Sequence, residues 1–155
     1  MRIGFGNDHA AIALKHTIMQ HLKDKGYECV DYGISIEGEK ADYPVQGQKV
    51  AEAIKNGEVD KGVLICGTGI GISLAANKVP GIRAAAVSDP YSARMAVEHN
   101  NAQIIAFGAR VVGDELAKMI VDSFFDAKFL GALEGGERHA KRVAMIDEIE
   151  AKYNK

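Results

Sequence analysis

Tryptophan is missing from this chain of 155 residues, only two cysteines and three prolines occur, and neither charge sign dominates. Each shortage excludes something. Cys29 and Cys66 stand alone, with no C-x-x-C and no cysteine–histidine ligand spacing, so neither a disulfide framework nor a zinc site is expected. A balance of 19 Lys and Arg against 21 Asp and Glu leaves no basic stripe for a nucleic-acid backbone or an anionic membrane. No stretch approaches the ~20 apolar residues of a membrane span. The opening "MRIGFGNDHAAIALK" meets Asp8 and His9 before a long apolar run develops, which reads as neither signal nor transit peptide. A cytoplasmic protein is the expectation, as one domain over 1–155, with enough apolar content, 47%, to bury a core without covalent staples.

Short runs rich in Ile and Val recur at 2–5 (RIGF), 28–32 (ECVDY), 62–66 (GVLIC), 81–87 (GIRAAAV) and 103–108 (QIIAFG), and they predict five strands. Between them apolar residues follow a helical period: Ala11, Leu14, Ile18 and Leu22, then Val50, Ala53 and Ile54, then Leu116, Ile120, Val121 and Phe124. Strand and helix therefore alternate. That pattern predicts an α/β, Rossmann-like, doubly wound fold: a five-stranded parallel sheet in the order 2-1-3-4-5 with helices on both faces. A final helix carries Val143, Ile146, Ile149 and Tyr153 as an apolar stripe that five strands do not need, which suggests docking on a second subunit.

The stretch "VLICGTGIGIS" (63–73) brings a cysteine up against three glycines, Gly67, Gly69 and Gly71. A P-loop would need Lys-Ser/Thr after the last glycine, and Ile72-Ser73 stand there instead. A dinucleotide fingerprint would follow the first strand and place its third glycine where Ile72 is. What remains is a run of main-chain N–H groups opening a helix, suited to a small oxyanion, with Cys66 at the strand end before it. A thiolate so placed is a usable base near neutral pH. The alternative is a buried strand cysteine beside glycines that serve packing alone.

Asp8 and His9 follow the first strand, at the carboxyl end where open α/β sheets bind ligands; Asp8 also suits a helix cap. Arg110 follows the fifth strand, as a ligand group or a structural ion pair. His99 and Asn100 end a helix, where one can complement the dipole and the other cap it. Arg138 and Arg142 lie four apart, hence on one helix face, as a fork for phosphate or as solvated surface. Tyr43 either reaches a sugar hydroxyl or merely precedes the proline that begins a helix.

Taken together, "GNDHA" (6–10), "DYP" (42–44), "LICGTGIGIS" (64–73), "AANK…GIRAA" (75–85), "HNNAQIIAFGAR" (99–110) and "GGERHAKR" (135–142) resemble the ribose-5-phosphate isomerase B family, in order and nearly end to end. The resemblance implies a cofactor-free, metal-free aldose–ketose isomerase of the pentose phosphate pathway, acting on ribose 5-phosphate and ribulose 5-phosphate. Isomerases of galactose 6-phosphate and allose 6-phosphate in the same group keep a six-carbon substrate open, and a non-catalytic nucleotide-binding module is the alternative from another class. The resemblance further implies ring opening by Asp8 and His99, proton transfer between C2 and C1 by Cys66 with help from Thr68, and an enediolate held by N–H groups of the Gly67–Gly71 loop. It gives His9, Arg110, Arg138 and Arg142 as phosphate ligands. It also implies a homodimer or homotetramer whose sites are shared, with His99, Asn100 and Arg110 lent by the partner. Relatives that use a glutamate place it where Ile72 stands here.

Overall fold

The computed structural model describes residues 1–154. Five parallel strands, β1 (Arg2–Asn7), β2 (Glu28–Asp31), β3 (Lys61–Cys66), β4 (Ala84–Ala86) and β5 (Ile104–Gly108), alternate with α1 (Ile12–Asp24), α2 (Tyr43–Lys55), α3 (Ile70–Ala76), α4 (Pro90–Glu98) and α5 (Asp114–Asp126). A helix α6 (Glu137–Tyr153) closes the chain. Every pairing is parallel, as strand–helix alternation requires, because parallel neighbours can be joined only by crossovers.

The sheet order is 2-1-3-5-4, which corrects the expected 2-1-3-4-5. Burial explains the exchange. All five residues of β5 are buried, as a strand flanked on both sides and covered on both faces must be. The fourth strand is shorter than its sequence run, just three alanines, two half-buried and one exposed, and so suits the edge. Its small side chains cover little, and the apolar β5 takes the inner place.

Alternation along β3 sorts the two cores. Val63 and Ile65 face a cluster with Leu14 and Ile18 of α1, Ala93 and Val97 of α4, and Ile120 and Phe124 of α5. Leu64 and Cys66 face the opposite cluster, with Val50 of α2 and Ile72 and Ala76 of α3. The strand period of two thus puts the Cys66 side chain under α2 and α3.

The last helix first contacts its own chain. His139 and Val143 are buried, Arg83 meets Asp147 at 3.1 Å, and Glu150 accepts the Gly81 N–H at 2.8 Å. Met145, Ile146, Ile149 and Tyr153 stay exposed. The expected apolar face is therefore split, with Val143 turned inward and Ile146, Ile149 and Tyr153 left outward. Among the described residues no helix is long and apolar enough to cross a membrane.

Candidate active site

The chain turns sharply where β3 ends. Gly69 precedes α3 in the left-handed region, φ 80°, and a Cβ there would lie 2.6 Å from the Phe107 backbone, so only glycine fits. This turn points the Gly69 N–H at Cys66, donating to Sγ at 3.1 Å. Cys66 is only 4% exposed, yet it lines a cleft of about 500 Å³ with Asp8, His9, Tyr43, Gly67, Thr68, Ile70, Gly71 and Arg110. The sulfur is thus tucked beneath the loop at the border of this cleft.

The cleft walls come from the carboxyl ends of three adjacent strands, where α/β sheets place their ligands. Asp8, directly after β1, both lines the cleft and caps the first helical turn, its Oδ1 accepting the Ala10 N–H at 3.0 Å. Capping and a place on the cleft wall are thus compatible. Tyr43 opens α2, with Pro44 next, and lays its ring so near Gly71 that a Cβ at 71 would come within 2.6 Å of it. Arg110, after β5, reaches back over Gly67, where a Cβ would lie 3.2 Å from its Nη1. Thr68 Oγ1 accepts the Ile70 N–H at 3.3 Å. Gly69 itself does not line the cleft; its amide donates to the sulfur.

Four expected members lie elsewhere. His99 caps the carboxyl end of α4, and Asn100 lines a separate groove with Arg83, Ile146 and Glu150. These positions lead into the amino end of β5, whereas Cys66 pairs with Gly108 at its carboxyl end. One strand length, roughly 15 Å, lies between them. Arg138 and Arg142 accompany His99, because the adjoining His139 stacks on the His99 ring with centroids 4.4 Å apart and planes 11° from parallel. Arg110, by contrast, sits beside its own Cys66, which corrects its expected place among groups lent by a partner: the turn after β5 necessarily abuts the turn after its neighbour β3. The cap of α4 is His99 and not Asn100, and the left-handed residue beyond it is Asn101, φ 49°.

Among the described residues none of Arg110, Arg138 and Arg142 takes part in an ion pair, so each guanidinium is available to an anion. No three of His, Cys, Asp and Glu among these residues converge as a metal-ligand set. Ile72 is fully buried against Leu64 and Ile104, so its position points into the core and away from the cleft.

Some contributors were not read from the sequence. Asn7 is fully buried, and its amide holds the Asp8 and Ile34 carbonyls at 2.9 and 3.1 Å, fixing the backbone that presents Asp8. A polar residue closing the run "IGFGN" was the available signal. Gly108 lets the loop lie flat, since a Cβ there would meet Thr68 Cα at 2.6 Å. His139 is buried; burial and then the positive neighbours His99, Arg138 and Arg142 push its imidazole below the ordinary histidine range.

The model of the family described as Ribose/Galactose Isomerase matches residues 3–146. The chain is 51% identical to ribose-5-phosphate isomerase B of Escherichia coli K12 over 153 residues, covering 99% of both proteins. It is 50% identical to D-erythrulose-4-phosphate isomerase of Pectobacterium atrosepticum over 131 residues, 84% of this chain and 86% of that one. The solved structure of Clostridium thermocellum ribose-5-phosphate isomerase B superposes with a TM-score of 0.92 at 56% identity, covering 99% of each chain. Matched nearly end to end in sequence and in overall fold, this chain belongs to the ribose/galactose isomerase family.

Proposed function

We propose that this protein interconverts ribose 5-phosphate and ribulose 5-phosphate, with Cys66 carrying the proton between C2 and C1. The observation behind the assignment is that one cleft gathers the Cys66 sulfur, held by a main-chain N–H, with Asp8, His9, Tyr43, Thr68 and Arg110. His99 with Asp8 first opens the furanose, moving a proton from the anomeric hydroxyl to the ring oxygen. Cys66 as thiolate then takes the C2 proton. The C–H electron pair becomes the C1–C2 double bond and the carbonyl pair moves onto O1.

Thr68 relays the hydroxyl proton from O2 to O1 as C2 becomes the carbonyl, and Cys66 returns its proton to C1. Main-chain donors of the Gly67–Gly71 loop meet the developing oxyanion, with Gly69 acting on the sulfur; a lost donor of this kind costs about 2.7–4 kcal/mol in other enzymes. His9, Arg110, Arg138 and Arg142 grip the phosphate, and Tyr43 and Asn100 contact the sugar.

Because His99 and Asn100 stand a strand length from Cys66, they reach the cleft from a second copy. A two-fold dimer supplies both needs at once: each copy gives one half-site and receives the other. The exposed stripe of Met145, Ile149 and Tyr153 is the apolar surface that such an interface covers, and a dimer of dimers uses the same contact twice. A free thiol base suits a reducing compartment such as the cytoplasm.

The relative acting on D-erythrulose 4-phosphate gives a four-carbon phosphate as a specific second reading. A panel of four-, five- and six-carbon aldose phosphates, assayed without added metal or cofactor, separates them. We expect kcat/KM for ribose 5-phosphate to exceed the others at least tenfold; a pentose phosphate left unconverted overturns the assignment.

A further inference from the structure

His139 has no place in the mechanism above, yet it touches two groups that do. It lies in the first turn of α6, 3% exposed, with its ring stacked on His99. Arg138 Nε–H donates to its Nε2 at 3.3 Å. With Nε2 accepting, the neutral imidazole carries its proton on Nδ1, and this buried N–H has no partner among the described residues. Burying an unpaired donor is unfavourable, and a phenyl ring would fill the same space without it. Packing alone therefore does not account for a histidine here.

We propose that His139 is a positioning residue, one buried imidazole that sets the plane of the His99 ring by stacking and the direction of the Arg138 guanidinium by accepting its Nε–H. The inference rests on the functional reading given above. Among the described residues no side-chain hydrogen bond orients His99, so the parallel stack is what fixes the plane in which it meets the sugar ring oxygen. Tying Arg138 through Nε leaves its two terminal nitrogens free for two phosphate oxygens, the geometry in which guanidinium binds phosphate best. Phosphate grip and ring opening are in this way coupled through a side chain that contacts no substrate.

The two contacts can be removed separately. His139→Phe keeps a ring to stack and loses the acceptor, so KM for ribose 5-phosphate should rise about tenfold with kcat within about twofold. His139→Gln keeps an acceptor and loses the ring, so kcat should fall about tenfold with KM within about twofold. A double variant, Arg138→Ala with His139→Phe, should raise KM no further than Arg138→Ala alone. Melting curves and oligomeric state are recorded for each variant, because a merely structural role would give both substitutions the same kinetic pattern. Variants that both lose the same parameter, that both match the native enzyme, or whose KM effects add in the double variant overturn the role of His139. Native protein that leaves ribose 5-phosphate unconverted overturns the functional reading itself and this inference with it.

Discussion

Cys66 and the loop after it are placed by main chain: a left-handed glycine, three strand ends side by side, and an amide donated to sulfur. His99, Arg138 and Arg142 are placed by side chains on the end of one helix and the start of another, held by a stacked ring pair and, farther along α6, by exposed polar contacts. The first group has no freedom that does not cost the fold. The second can adjust, and its surroundings are only partly covered within one copy. In the dimer proposed above, the backbone-built half-site is set within one chain, while the side-chain half-site comes to it from the other.

The sharpest break of that contrast is to disable one half in each of two proteins. Cys66→Ala should lower kcat by about 10³-fold or more, at the upper range for a positioned base, while substrate binding survives. Mixed with an inactive His99→Asn variant and allowed to exchange subunits, it should regain about a quarter of native activity, since half of the dimers then hold one intact site of two. No recovery in a steady-state assay would mean that each chain builds its site alone.

Gly69→Ala tests the rigidity of the backbone half. The left-handed conformation costs a side chain about 1–2 kcal/mol, and the approach to the Phe107 backbone leaves nothing flexible to yield. A loss of at least about 3 kcal/mol in denaturant melts is expected. Next comes the anchor of the segment after β2. Lys15 is fully buried and meets Asp31 at 2.6 Å, along with the Ile34 carbonyl and Ser35. Asp31→Asn should cost roughly 3 kcal/mol, the lower end for breaking a buried pair, because Asp31 retains some solvent.

Burial pushes the Asp31 carboxyl up, but hydrogen bonds from Lys15, Ser35 and the Gly33 N–H outweigh it and hold the group below the usual range. A carboxyl lowered on folding adds stability above its unfolded value of about 3.9, lost as pH falls through the lower folded one. Stability of the native protein should therefore fall more steeply below about pH 4 than that of Asp31→Asn, a difference that acid titration followed by circular dichroism would show or refute.

Smaller effects belong to the side-chain half. Arg142→Ala should raise KM about tenfold and leave kcat within about twofold, since phosphate is gripped equally in ground and transition states; an unchanged KM removes it from the site. Asp147→Asn, which breaks a contact with Arg83 whose acid is half exposed, should cost less than about 1 kcal/mol. A larger loss would show α6 to be fastened more firmly than its contacts indicate.

What was legible in the sequence follows the same division. Strand ends, the glycine turn and the residues beside it could be read because their constraints are local: period two along β3, and an apolar run broken by Cys66 and glycine. Strand order could not be read so directly, because neighbours in a sheet are chosen by long-range packing; the fully apolar "IIAFG" against the bare "AAA" was the clue to which strand lies inside. The spacing of Arg138 and Arg142 announced a shared helix face. Their association with His99 is a tertiary contact through His139, which no local pattern carries. Asp8 was legible as a cap, and the same carboxylate also lines the cleft, so that capping does not take it away from a ligand.

The two thiols lie far apart in the sheet. Cys29 on β2 is level with Ile3, which is level with Lys61 on β3, and Cys66 comes five residues later. Two strand spacings and five residues of rise separate them by about 19 Å, well beyond the roughly 7 Å that a disulfide can span. Once peroxide has turned Cys66 into a sulfenic acid, no second sulfur of the same chain can reach it, and repair falls to a small external reductant slim enough to enter the cleft.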